Sequence, residues 1–330
     1  MSIQSSAGAS DRATLNDYLR IARFDHATKH IFIVPGVALA ILLRGMPEGA
    51  LWLTLIVGFV SATCIASANY VINEWLDREF DKFHPEKSQR AAVQKELDRS
   101  IVYMEYAAFL VVGLLLAAAV NTTFLVVSVL FAISGVIYNV QPARSKDKAY
   151  LDVLTESLNN PLRLLLGWAM IDPGTIPPGS LLLSYWFGGA FLMNSKRLSE
   201  YRDIVASHGN EILSRYRRSF AYYDENKLSV ANLVYALCCA FFLAIFLIKY
   251  RIELVLLFPC VVALFGAYYS LALQPGSVAR KPENLYKTPS LVILAGLTGL
   301  VFIFAILVDM PQLEELTGQV YITLPVSGDG

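Results

Sequence analysis

Asn73, Asp77 and Asp81, in the stretch NEWLDREFD, are spaced i, i+4, i+8. On a helix this spacing stacks three oxygen-bearing side chains along one stripe, with about 6 Å of rise between successive members. Carboxylates crowded this closely repel unless a cation lies between them, and Mg²⁺ is typically held by one or two carboxylates together with phosphate oxygens of a substrate. The stripe therefore reads as a site for Mg²⁺, or Mn²⁺ in its place, and a pyrophosphate. The plainer alternative is a solvated helix end in which Asp77 and Asp81 pair with Arg78 and Lys82, since surface ion pairs are common and contribute little.

A second charged cluster, NSKRLSEYRD, runs from Asn194 to Asp203. Lys196 and Glu200 are four apart, as are Arg197 and Tyr201 on the neighbouring stripe. Cations within reach of a metal-bridged pyrophosphate would neutralise charge developing on a leaving group. Against that stands a simple reading of snorkelling basic residues and one helix ion pair. Arg163 lies inside an apolar run with Glu156, Asn159 and Asn160 nearby. A guanidinium in hydrocarbon is costly and faces a bundle cavity or a partner, and its planar fork suits phosphate. A structural pair with Glu156 is the competing account.

These residues need elements to hold them, and the composition says which. Of 330 residues 55% are hydrophobic and 16% charged, against roughly a quarter charged in soluble domains. Nine apolar runs, 30–45, 51–72, 101–120, 122–139, 152–171, 179–195, 228–248, 252–273 and 288–308, approach the about 20 residues that a spanning helix requires. The expected fold is an all-α polytopic membrane bundle of nine transmembrane helices. It forms one catalytic domain over 18–310, with a flexible tail at 1–17 and a short extracytoplasmic tail at 311–330. The N-terminal segment has no apolar core and is not a signal peptide. The cysteines Cys64, Cys238, Cys239 and Cys260 lie in apolar runs without metal-type spacing and are expected to be small packing residues.

Lys and Arg set the orientation. Of the 27, 23 fall in the N-terminal segment and the connections 74–100, 140–151, 196–227 and 274–287, whereas Arg44, Lys249 and Arg251 fall on the other side. The expectation is a protein of the cell (inner) membrane with its N-terminus and site cytoplasmic and its C-terminus outside. The zero net charge thus hides one strongly basic face, which on a plain reading holds the chain against anionic lipid. No nucleic-acid partner is expected, and the oligomeric state is not legible.

With its nine runs, NEWLDREFD after the second and a charged cluster after the sixth, the chain resembles the UbiA superfamily of intramembrane prenyltransferases over almost its whole length. The resemblance implies two motifs on cytoplasmic loops capping a helical bundle, Mg²⁺ bridging a diphosphate, and a lateral opening for a lipid tail. Where aromatic-ring members carry a second Asp-rich motif, this chain has SKRLSEYRD. Lys196, Arg197 and Glu200 look like the K-R-x-x-E pattern of the polyprenyl-phosphate phosphoribosyltransferase branch, whose decaprenyl-phosphate enzymes start decaprenylphosphoryl-arabinose synthesis for the cell wall. RFDHATKH keeps Arg23 and Lys29 of that branch's R-P-x-x-W-x-K-N, without its Pro and Trp. DREFDKFHPEK resembles D-x-x-x-D-x-x-H-P-x-K with His84, Pro85 and Lys87 in place, and Asp152 and Arg163 keep the branch's spacing. Glu74 stands where Asp is usual.

The branch implies transfer of a 5-phosphoribosyl group from phosphoribosyl pyrophosphate to a polyprenyl phosphate. Asn73, Asp77 and Asp81 would hold the metal, with Glu74 a further ligand. Asp77, Asp81, Lys196, Arg197 and Glu200 form the catalytic set. Lys29, Lys87, Arg90, Lys196 and Arg197 are the phosphate contacts, and Glu200 and Tyr201 orient ribose hydroxyls or the cations. Arg23, His84, Tyr138, Lys146, Asp152 and Arg163 complete the substrate-binding set. An already ionised phosphate nucleophile requires no general base. The alternative is a conventional prenyltransferase that moves a polyprenyl group from its diphosphate to a small acceptor. A transporter would also place charged ends on broken helices, but no internal repeat is found and the charges gather on one face.

Overall fold

The computed structural model describes residues 13–47, 49–82, 87–209, 213–274, 276–280 and 287–317. Among these the chain is helical, with no strand. α1 (Leu15–Ile21) leads through a 3₁₀ stretch (Phe24–Ile33) into α2 (Val34–Arg44), followed by α3 (Leu51–Asp81), the short α4 (Ala91–Gln94), α5 (Arg99–Val120) and α6 (Thr122–Asn139). α7 (Leu151–Ser157) and α8 (Asn159–Ile171) share one apolar run, and α9 (Gly179–His208) follows. Then come α10 (Leu213–Tyr216), α11 (Glu225–Tyr250), α12 (Leu257–Ala272), α13 (Pro289–Leu307) and α14 (Pro311–Thr317).

Each of the nine apolar runs lies on helix, but only seven helical stretches are long and apolar enough to cross a bilayer: 15–44, 51–81, 99–120, 122–139, 225–250, 252–272 and 289–307. The fifth and sixth runs fall outside this set, so length and composition bear out a polytopic bundle with seven of the nine expected spans. Pro161 has no N–H to offer the Ser157 carbonyl, so the fifth run breaks at Leu158 into α7 and α8. It also carries Asp152, Glu156 and Arg163, which make it too polar to face lipid. α9 exposes little apolar surface and packs between α7, α8 and α11.

Two helix sets bury the core. Ile33, Ile65, Ala117, Phe124, Phe131 and Leu166 join the 3₁₀ stretch, α3, α5, α6 and α8, while Val153, Phe191, Tyr235 and Tyr268 join α7, α9, α11 and α12. Hydrophobic attraction between helices is weak in lipid, so close approach through small residues does the work. A Cβ on Gly36 would lie 2.1 Å from the Leu164 carbonyl oxygen, and one on Gly167 2.2 Å from that of Ile33. Only glycine lets α2 and α8 cross this closely, and the crossing fixes the helix that carries Arg163. Cys239 is buried and the other three cysteines are half-buried, all of them free, as their places in the apolar runs predict.

Candidate active site

α3 has 31 residues and α9 has 30, each about 45 Å long against a hydrocarbon core of about 30 Å. The two charged clusters lie in the C-terminal parts of these helices, Asn73–Asp81 at the end of α3 and Asn194–Asp203 in the second half of α9.

On α3 the stripe is present and already surrounded by cations. Asp77 Oδ1 accepts from Arg144 Nη2 at 2.9 Å and lies 2.6 Å from Lys146 Nζ. Asn73 Nδ2 donates to Asn139 Oδ1 at 2.5 Å, and Lys146 donates to the same oxygen at 2.8 Å. Arg90 Nη1 reaches Asp81 Oδ2 at 2.6 Å. The surface pairs expected on the plainer reading, with Arg78 and Lys82, do not form: Arg78 lies 3.8 Å over the Trp75 ring and Lys82 pairs with Glu79. The stripe is an internal polar layer, not a solvated helix end.

On α9, Arg197 is 2% exposed and wholly enclosed by carboxylates. It bonds Glu156 through Nη2 and Glu200 through Nη1 at 3.2 Å, with Nε 3.5 Å from Asp152. Asp152 also accepts from Tyr223 at 2.7 Å and from Ser219 at 3.0 Å, with Arg217 3.3 Å away. Tyr138 donates to Glu156 at 2.9 Å and accepts from Arg217 at 2.9 Å. These residues form a buried network that locks α7, α9 and the segment after α10 together. The pair proposed for Glu156 is thus Arg197, not Arg163. Tyr201 packs its ring edge-on to Phe220 and does not line the cavity between the ends of α3 and α9.

Between the two helix ends lies a cavity of about 910 Å³. Arg20, Arg23, Lys29, Lys87, Arg90, Lys196 and Arg280 line it, against Asp25, Glu74, Glu200 and Asp203. Burial brings Lys87 down to about 8, although Glu200 and Asp81 on either side pull it upward. Burial opposes the charge on Glu200, but Arg197, Lys196 and Lys87 outweigh it and hold the carboxyl at about 2. Burial likewise brings Lys146 to about 8 against the pull of Asp77.

The structure thus gathers Arg23, Lys29, Glu74, Lys87, Arg90, Lys196 and Glu200 around one cavity. It sets Asn73, Asp77, Lys146 and Tyr138 in the adjoining layer, Asp152 and Arg197 in the packed network, and Arg163 deeper in the bundle. His84 lies outside the described residues. Residues not singled out from sequence are Asn139, Arg144, Arg217 and Arg280. The basic character of their loops was legible, but their sequence distance from the stripe, 67 positions for Arg144, hid the contact.

The donor chemistry fits a hard divalent cation. Asp77, Asp81 and Asn73 offer carboxylate and amide oxygens on one helix stripe, and Asp77 Oδ2 has only the Asn73 amide, 3.4 Å away, beside it among the described residues. No group of three or more His, Cys, Asp or Glu converges among the described residues. Mg²⁺ held by few carboxylates together with substrate phosphate oxygens requires no such group.

The sequence pattern of the UbiA prenyltransferase family matches residues 31–286. The chain belongs to this family. It is a membrane-embedded, multi-helix member of a transferase family, as the paired motifs led one to expect. A protoheme IX farnesyltransferase of Alkalihalophilus pseudofirmus is 24% identical over 204 residues, which cover 60% of this chain and 64% of that protein. A UbiA homologue from Archaeoglobus fulgidus, solved bound to DMAPP and Mg²⁺, superposes with a TM-score of 0.67 at 20% identity, covering 89% of this chain and all of that one. A homologue from Aeropyrum pernix K1 gives a TM-score of 0.60 at 14% identity over 84% of this chain and 99% of that one. These likenesses establish the shared fold.

Proposed function

We propose that the protein transfers a 5-phosphoribosyl group from phosphoribosyl pyrophosphate to a polyprenyl phosphate. The bond between ribose C1 and the pyrophosphate oxygen breaks, a bond from C1 to a lipid phosphate oxygen forms, and pyrophosphate leaves. The observation that carries this reading is the cavity itself, in which seven Lys and Arg face four carboxylates. A donor with a pyrophosphate and a 5-phosphate brings more anionic oxygen than a prenyl diphosphate, and this lining suits that load. Lys196 reaches the cavity from the position where an aromatic prenyltransferase would use a carboxylate.

Asn73, Asp77 and Asp81 would hold Mg²⁺, which when bound supplies charge stabilisation to the departing pyrophosphate. Lys29, Lys87, Arg90 and Lys196 bind phosphate oxygens and screen the charge that develops as C1–O weakens. Glu200 keeps Lys87 and Lys196 charged and aimed inward. We place 18–310 as the catalytic unit, with the basic end of the bundle on the cytoplasmic side of the cell membrane, where a soluble donor has access.

The second reading, transfer of a prenyl group from its diphosphate to a small acceptor, draws on a relative named as a farnesyltransferase and a fold neighbour solved with DMAPP. Purified protein offered labelled phosphoribosyl pyrophosphate with a short polyprenyl phosphate, and separately a polyprenyl diphosphate with aromatic acceptors, tests both. A phosphoribosylated lipid is the expected product. A prenylated acceptor without it would establish the second reading.

A further inference from the structure

Arg163 is not part of the cation-rich cavity. It lies on α8, past the break at Leu158 that separates it from Glu156 on α7, and is 7% exposed. Among the described residues no carboxylate pairs with it; Glu156 is engaged by Arg197 and Tyr138. Its guanidinium stands 5.3 Å from the Phe131 ring centroid, with Tyr70, Tyr185 and His30 as its polar neighbours. Its Nε is buried without a hydrogen-bond partner. Tyr70 supplies a side-chain hydrogen bond to the guanidinium, but a buried cation with no counter-charge and an unpartnered Nε is disfavoured, and a planar or tetrahedral oxyanion would match it.

Tyr70 connects this position to the cavity. One side of its ring meets Lys29, 5.6 Å away, Arg23, 5.9 Å away, and the edge of His26 at 5.2 Å, all of them cavity residues. Arg163 lies beyond it. Leu162, Leu166, Phe131 and Ile33 form the surrounding core. An inorganic anion entering that core would lose its hydration without compensation, whereas an anion at the end of an isoprenoid chain brings apolar surface whose burial offsets the loss.

We propose that Arg163, with the hydroxyl of Tyr70, forms a second phosphate subsite inside the bundle, separate from the donor cavity, that receives the phosphate of the lipid acceptor; the Tyr185 hydroxyl is held by the Phe32 carbonyl at 3.2 Å. The identity of the occupant rests on the phosphoribosyl-transfer reading. The subsite holds the nucleophilic phosphate beneath Tyr70 and leaves the cations above it to the donor.

The test is binding by the full-length purified protein, in detergent and with no turnover required. Farnesyl phosphate and farnesol are compared for the parent, Arg163→Gln and Arg163→Lys, and phosphoribosyl pyrophosphate is titrated in parallel. The parent is expected to prefer farnesyl phosphate. Arg163→Gln should lose about tenfold to a hundredfold of that affinity while binding phosphoribosyl pyrophosphate within about twofold of the parent. Arg163→Lys, which keeps the charge and guards against misfolding of the Gln variant, should lose part. Equal binding of farnesyl phosphate and farnesol by the parent, or unchanged binding in both variants, overturns the proposal. A loss confined to phosphoribosyl pyrophosphate would put the donor's 5-phosphate there, and displacement by equimolar inorganic phosphate would make it a free-phosphate site; either overturns the lipid assignment. If farnesyl phosphate binds through Arg163 but no phosphoribosyl group is transferred, the subsite stands and the reading of the reaction fails.

Discussion

Lys146 Nζ stands 2.6 Å from Asp77 Oδ1, a contact that ties the connection after α6 to the middle of the stripe on α3. The central carboxylate of the stripe is thus held ionised and oriented by a cation that can also meet a phosphate oxygen. Asn139 accepts from the same lysine at 2.8 Å and from Asn73 at 2.5 Å, so Asn73, Asp77, Asn139 and Lys146 form one unit. Changing any of them disturbs the others.

The stripe is expected to be essential and metal-linked. Asp77→Ala and Asp81→Ala should abolish turnover while the protein remains extractable and monodisperse, and the parent should require Mg²⁺ or Mn²⁺. Activity of the parent assayed across metal concentrations and in excess EDTA checks this, and full activity in EDTA would remove the metal from the reaction.

The helix periodicity of Asn73, Asp77 and Asp81 and the runs that form the bundle were legible in the sequence because both are local patterns. The partners of the stripe were not, because Arg144 and Lys146 arrive from a separate loop. Arg197 shows the limit most clearly. Its charge and its place beside Lys196 suggested a phosphate contact, but whether a basic side chain faces a cavity or a carboxylate depends on which helices pack behind it. Here α7 places Asp152 and Glu156 there. The break at Leu158 was foreshadowed by Pro161, yet the polarity that keeps the fifth run from qualifying as a plain spanning helix acquires its meaning only from those buried partners.

Lys196 and Arg197 are therefore expected to fail differently. Arg197→Ala leaves Glu156, Glu200 and Asp152 without their shared cation, which costs about 3 to 5 kcal/mol and should lower the melting temperature sharply. Lys196→Ala should melt near the parent but lose a charge-assisted contact of about 1.5 to 3 kcal/mol, or roughly tenfold to a hundredfold in kcat/KM for the donor. Thermal melts and steady-state kinetics on both variants separate the roles; a stable Arg197→Ala variant with a raised donor KM would return Arg197 to the cavity.

The pH dependence follows from Lys87, which burial holds at about 8. It is charged below that pH and becomes neutral above it, so donor binding should weaken as pH rises through about 8. Because kcat/KM reports groups of the free enzyme, log kcat/KM should fall on the alkaline side with an apparent pKa near this value. Lys87→Arg should move the falling limb upward. A profile flat to pH 10 would mean that Lys87 does not bind the donor.

The last prediction concerns which way the bundle faces. The structure brings the connections that follow α3, α6 and α9 to one end, where Arg90, Arg144 and Lys196 meet. It sets Arg44 against Asp172 at 2.8 Å and Arg251 against Asp309 at 2.9 Å at helix ends on the opposite side. The positive-inside bias then makes the first end cytoplasmic, and a water-soluble phosphorylated donor requires this because it cannot cross the bilayer. In a chain whose four native cysteines are replaced, a cysteine at Ser88 should react with a membrane-impermeant thiol reagent only after the cytoplasmic face is opened. One at Ser327, beyond the described residues, should react in intact cells. The reverse pattern would invert the bundle and leave the cation-rich cavity facing away from any cytoplasmic donor, a result that would count against phosphoribosyl pyrophosphate as well as against the topology.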